Sequence, residues 1–188
     1  MSRVVVLSGG ESPEHEVSLV SGADVAAALA GRHRVTSIRI DRQGAWGIEG
    51  ADAACTATEV LDELEPDDIV FPVLHGGWGE DGGLQRELER RGIRFVGCAS
   101  AACETGMSKL ATARAAAGRG VSTIPTRVMR RGDYLADPDL VVSALARVAD
   151  WPMIVKPEAG GSSVGVSVVA SGPELRVALD DAFRLDAT

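Results

Sequence analysis

The sequence has 188 residues, 45% of them hydrophobic, and its 19 Lys and Arg against 27 Asp and Glu give a formal net charge of -8. That size supports one good core and part of a second, while an acidic balance without any basic run argues against nucleic acid as a partner. No stretch approaches the roughly eighteen apolar residues of a membrane span, and the apolar run at the amino end is too short for a signal-peptide core, so no membrane partner and a cytoplasmic location are expected.

Residues 4–7 form an apolar run that leads into Gly9 and Gly10, and residues 17–30 are rich in alanine and other helix formers. Strand, glycine turn and helix are therefore predicted in that order. Between them, in "LSGGESPEHEVSLVSG", stand Pro13 and the acids Glu11, Glu14 and Glu16. Negative charge is favourable beside a helix N-terminus, which explains these acids structurally. The functional alternative is that one carboxylate faces the sheet edge and binds a substrate ammonium, and composition leaves both readings open.

"HRVTSIRI" alternates with period 2, and "DIVFPVLHGG" offers a further buried strand running into glycines. In "LHGGWGEDGGLQ" His75 sits at the strand end, either as a polar contact to a ligand or as part of a solvated loop whose Glu80 and Asp81 lie near a helix start. "LQRELERRG" is an amphipathic helix stopped by Gly92, and "IRFVG" is a short strand after it. The alternation predicts a parallel sheet flanked by helices. Both glycine turns fall at the carboxyl ends of strands, where open α/β sheets hold their ligands.

Past Ser100, "SKLATARAAAGRG" reads as a helix ending at Gly118 or Gly120, "VSTIPTRVM" as a strand interrupted by Pro125, and "DPDLVVSALARVAD" as another helix. A boundary near residues 123–125 separates a first domain, 1–123, from a second lobe, 124–188. "WPMIVKPEAGGSSVGVSVVAS" gives strand, glycine–serine loop, strand, and Ser171 and Glu174 at capping-box spacing open a helix to about Phe183. In "VKPEAGGSSVG" Lys156 ends a strand, glycines free backbone N–H groups, and Ser162 and Ser163 add hydroxyls, a set suited to a polyphosphate. It is not a Walker A loop, because the lysine precedes the glycines and a strand follows them. The bland alternative is a hairpin tip with a snorkelling lysine. Cys55, Cys98 and Cys103 lack CxxC spacing and are read as reduced thiols in small core positions.

Taken in order, "GGESPEHEVSLVSG", "LHGGWGEDGGLQRELERRGIRFVG", "SKLATARAAAGRGV" and "VKPEAGGSSVGVSVV" resemble the first part of a D-alanine–D-alanine ligase of the ATP-grasp superfamily, over residues 4 to about 169. The resemblance implies an α/β fold: an N-terminal parallel-sheet, Rossmann-like preATP-grasp domain on the substrate side, followed by the first, incomplete part of an ATP-grasp domain with its phosphate loop. It implies ATP-dependent joining of two D-alanines through an acyl phosphate, for the peptidoglycan precursor, with ATP and Mg2+ as cofactors and a homodimer as the assembly.

The resemblance also assigns roles. Glu16 holds the ammonium of the first D-alanine, Ser162 belongs to the set that orients it, and His75 is a further substrate contact. Lys109 and Lys156 match the two lysines that reach the nucleotide phosphates, and Ser163 with Gly160 and Gly161 closes over them. Lys109 carries no signal of its own in the residues around it. The family continues into a further part that supplies the adenine pocket, the loop over the second substrate, an arginine and the magnesium ligands. The 188 residues are therefore expected to be a fragment of a longer ligase, or a truncated natural chain, and to be inactive alone. The alternative is a non-catalytic homologue that binds nucleotide weakly or partners another subunit. The second substrate, D-alanine, D-lactate or D-serine, is left open.

Overall fold

The structure is a computed structural model that describes residues 3–48, 50, 54–148 and 150–186. It divides into two compact units, Met1–Gly106 and Met107–Thr188.

The first unit runs β1 (Arg3–Gly9), α1 (His15–Leu29), β2 (Arg34–Ile40), β3 (Trp46–Ile48), β4 (Ala54–Cys55), α2 (Ala57–Asp62), β5 (Ile69–Pro72), α3 (Gly77–Glu80), α4 (Gly83–Arg90), β6 (Arg94–Phe95) and α5 (Ser100–Met107). One six-stranded sheet has the order β4-β3-β2-β1-β5-β6. The strands β2, β1, β5 and β6 are parallel, and β3 and β4 extend the edge antiparallel. The predicted parallel sheet is thus present, with an antiparallel margin. The centre is β1, where Val4, Val5, Val6 and Leu7 are all buried, as a strand covered on both faces requires. The core joins them to Ile38, Ile40, Trp46, Val70, Leu84, Leu88 and Ile93.

Helix α1 buries only His15, Ser18 and Gly22. Gly22 permits that close approach, since a Cβ there would lie 2.5 Å from the Cβ of Ser8 on β1. Helix α2 begins with a complete capping box between Thr56 and Glu59. At the opposite end of the sheet Arg3 clamps Asp68, with Nε donating to Oδ1 at 2.6 Å and a second bond from Nη2 to Oδ2. The Asp68 carboxylate also accepts the Glu65 N–H at 2.8 Å. The guanidinium holds the Asp68 carboxyl below its usual range, and the carboxylate raises Arg3 in turn.

The second unit contains α6 (Lys109–Ala117), α7 (Arg131–Ala136), α8 (Pro138–Arg147), β7 (Met153–Val155), β8 (Ser167–Val169) and α9 (Gly172–Leu185). The strands β7 and β8 form an antiparallel pair with Ile154 opposite Val168. Tyr134, Val169, Leu175, Ala178, Leu179 and Phe183 make its core. The Tyr134 ring stacks on Phe183 at 5.2 Å and its hydroxyl donates to Asp180 at 2.6 Å. Burial, then the Asp180 carboxylate, pushes the phenol up to about 12.

Two expectations are corrected. Residues 121–129 form no strand. Their β-branched composition favours one, but Pro125 removes an N–H and no strand lies beside them among the described residues, so Ile124 stays 83% exposed. The cysteines are free thiols, as read, but they differ in burial: Cys55 is half-buried and packs against the core, Cys103 is half-buried, and Cys98 is exposed rather than in the core.

Candidate functional site

Two glycine-rich edges carry the residues singled out in the sequence, one in each unit. In the first unit the chain leaves β1 through Gly9 and Gly10, at φ +92° and +96°, values that glycine adopts without strain. This bends the backbone over the end of β2, where Gly10 N–H donates to Ile40 O at 2.8 Å. The His15 Nδ1 lies 2.6 Å from Gly10 O, which requires the Nδ1–H tautomer. Ser18, fully buried, ties the edge together: its Oγ accepts Gly9 N–H at 2.8 Å and donates to Val73 O beyond β5. Replacing Ser18 by alanine leaves both groups buried and unpaired, so a loss of about 2–3 kcal/mol in urea unfolding is expected. An unchanged midpoint would refute that role.

Glu16 occupies the first turn of α1 and is exposed, with Oε1 accepting from Arg42 Nη2 at 3.0 Å. His75 follows β5, its Nδ1 3.8 Å from Glu80 Oε1. Its Nε2 is buried and has no hydrogen-bond partner among the described residues. The loop beneath is fixed by Gly76 N–H donating to Glu80 Oε2 at 2.7 Å and by Gln85 Nε2 donating to Gly79 O at 2.9 Å. A carboxylate at a helix start and a histidine nitrogen awaiting a partner are groups that can hold a small zwitterion.

In the second unit Lys156 follows β7, exposed, with no hydrogen bond or ion pair among the described residues. The loop after it turns at Gly160 (φ +91°) and then places Ser162 and Ser163 at φ +49° and +59°. Non-glycine residues in the left-handed region cost about 1–2 kcal/mol each, a strain that clusters at ligand sites. Gly165 closes the loop, because a Cβ there would lie 2.5 Å from Leu185 and 2.8 Å from Pro157. Gly161, Ser162 and Ser163 are all exposed at the tip.

Lys109 anchors this loop from inside its own unit: Nζ donates to Gly160 O at 2.9 Å and to Glu158 O at 3.3 Å. Glu158 completes the joint, its Oε1 accepting from Ser108 Oγ and from Leu110 N–H at 3.1 Å, so that it caps α6. Sequence inspection misses Glu158, since its partners lie some fifty positions away and no local pattern marks it. Backbone donors, two hydroxyls and an uncommitted ammonium on one hairpin fit a phosphate group. No cluster of three metal-ligating side chains occurs among the described residues.

The structure, a mainly parallel α/β unit followed in the chain by a lysine-flanked glycine–serine hairpin, aligns with solved D-alanine–D-alanine ligases, which are of the ATP-grasp class. The family model described as the D-ala D-ala ligase N-terminus matches residues 3–64 and 51–98, and that of the D-ala D-ala ligase C-terminus matches residues 116–188. The chain belongs to the D-alanine–D-alanine ligase family. It is 37% identical over 196 residues to the D-alanine–D-alanine ligase of Deinococcus radiodurans, covering 98% of this chain and 58% of that protein. To the enzyme of that name from Geobacter sulfurreducens it is 38% identical, covering 98% of this chain and 52% of the relative. The structure aligns with the D-alanine-D-alanine ligase from Coxiella burnetii at TM-score 0.85 and 27% identity, covering 100% of this chain and 62% of that one. It aligns with the VanG D-Ala:D-Ser ligase from Enterococcus faecalis at TM-score 0.84 and 27% identity, covering 99% of this chain and 60% of that one. The chain thus spans little more than half the length of the relatives it matches.

Proposed function

We propose that this chain carries the D-alanine edge and the phosphate loop of an ATP-dependent D-alanine–D-alanine ligase. The observation that supports this most is the hairpin after β7, where Ser162 and Ser163 hold left-handed backbone, Lys109 anchors Gly160, and Lys156 at the end of β7 makes no hydrogen bond or ion pair among the described residues. In this reading ATP supplies a phosphoryl group that activates the carboxylate of the first D-alanine towards the amine of the second. The N–H groups around Gly160 and Gly161, the Ser163 hydroxyl and the two lysines neutralise phosphate charge, which is the main demand of phosphoryl transfer. Glu16 pairs with the first substrate's ammonium, His75 Nε2 hydrogen-bonds the substrate, and Ser162 orients it.

Ligands for an accompanying magnesium ion are expected in the part of the ligase that this chain does not span, so no step is assigned to a metal. The second substrate is selected there too: of the two similar structures, that from Enterococcus faecalis is a D-Ala:D-Ser ligase and that from Coxiella burnetii a D-alanine-D-alanine ligase. A cytoplasmic homodimer that makes the D-alanyl-D-alanine unit for the peptidoglycan precursor completes the proposal.

Separate calorimetric titrations with D-alanine and with ATP test these assignments on the chain itself. Glu16→Gln removes a charge-assisted contact and is expected to weaken D-alanine binding about 10–100-fold while leaving ATP binding in place. Lys156→Ala is expected to do the reverse. Equal losses of both ligands in either variant would overturn the roles given, and a wild-type chain that binds neither would overturn the proposal.

A further inference from the structure

Cys98 and Cys103 stand at the start of α5. The carbonyl of Ala99 accepts the N–H groups of Ala102 at 2.9 Å and Cys103 at 3.0 Å, which makes Ala99 the residue that caps the helix. Cys98 therefore precedes the cap and Cys103 is the fourth helical residue, the two positions whose side chains meet across a helix start. The contact is already made in part, for Cys103 Sγ donates to Cys98 O at 3.5 Å. The scaffold beneath is fixed. Ser100 N–H and Oγ both bond to the Glu89 carboxylate on α4, at 2.9 and 2.6 Å. Ser100 O packs so closely on Gly82 that a Cβ there would lie 2.6 Å away. Cys98 is exposed, so a small reagent reaches the pair.

We propose that Cys98 and Cys103 form a dithiol site that closes to an intrachain disulfide by exchange with a low-molecular-weight disulfide. The Cys98 thiolate attacks one sulfur of the reagent, breaking its S–S bond and expelling one thiolate. The Cys103 thiolate then attacks Cys98 Sγ and expels the second. The protein dithiol loses two electrons and two protons, and the reagent becomes two thiols. Cys98 is exposed while Cys103 is half-buried, and burial raises the Cys103 thiol, so Cys98 is the sulfur that the reagent meets first. Closure pins the start of α5, and through Ser100 and Glu89 it braces α4, which follows α3, the helix after His75. The site rests on the cysteines alone and stands apart from the ligase assignment.

Incubation of the chain in a buffer of oxidised and reduced glutathione, followed by alkylation, intact mass and peptide mapping, tests it. The expected product is lighter by two hydrogens before alkylation, with Cys98 and Cys103 joined and only Cys55 alkylated. Cys103→Ser, with its circular dichroism matched to the wild type, is expected to accumulate glutathione on Cys98 instead. Wild-type protein carrying glutathione on both Cys98 and Cys103, showing no reaction at either, or bridging through Cys55 or a second copy would overturn the proposal.

Discussion

Gly9→Ala is expected to unfold the first unit. At φ +92° an alanine already sits in the left-handed region, and its Cβ would lie 2.1 Å from the backbone oxygen of Ile40 and 3.2 Å from His15 Cε1. The nearer neighbour is backbone and not a flexible side-chain tip: Ile40 ends a central strand and its oxygen accepts the Gly10 N–H. The turn and the end of β2 must separate, which also detaches Gly9 N–H from Ser18. A cost of more than about 4 kcal/mol follows from strain and lost bonds together, a large part of a domain's stability of about 5–15 kcal/mol. Gly31→Ala is the control, because nothing lies within 4 Å of a Cβ there and its φ is not positive. Urea unfolding should show Gly31→Ala at or slightly above the wild-type midpoint and Gly9→Ala without a folded baseline for this unit. A Gly9→Ala protein that unfolds beside the control would mean that the turn takes another shape.

Asp68→Ala is expected to cost about 3–5 kcal/mol at neutral pH, because it strands the Arg3 guanidinium and leaves the Glu65 N–H without its acceptor. The loss depends on pH with a definite sign. Arg3 holds the native Asp68 carboxyl below its ordinary value. Its contribution is therefore complete above the unfolded-state value of about 4 and disappears as pH falls through the lower native value. The gap in unfolding free energy between wild type and Asp68→Ala should accordingly be constant from pH 7 to about 5 and narrow below that. Other carboxylates held low in the native state, such as Glu59, Glu89 and Glu174, are common to both proteins and cancel in the difference. A gap that widens on acidification would exclude the clamp as the cause.

Strands whose burial imposes a pattern were legible. The unbroken apolar run of β1, the alternation that buries Ile38 and Ile40 around Arg39, and the amphipathic α4 all follow from where side chains must point. Among the elements that escaped, β3 and β4 have three and two residues, too few for any period to show. Residues 121–129 misled because propensity describes the residue, while a strand exists only where a neighbour offers its ladder. The site divides in the same way. Glycines announced both edges, and nearly all of those named bear positive φ. Lys109 was legible through family resemblance alone, and Glu158 not at all, since its bonds to Ser108 and Leu110 join distant parts of the chain.

The anchorage of the glycine–serine loop bears on the thermodynamics of binding. Two N–H groups of the Lys109 ammonium are spent on neutral carbonyls, which leaves its charge intact and, among the described residues, one N–H without a partner. The loop is thereby ordered during folding, and a ligand arriving at it meets a surface whose conformational entropy has already been lost. Preorganisation of this kind moves the ordering cost from association to the stability of the fold. A weakened anchor would then appear first as a less favourable entropy of association for the proposed phosphate ligand, with its enthalpy preserved.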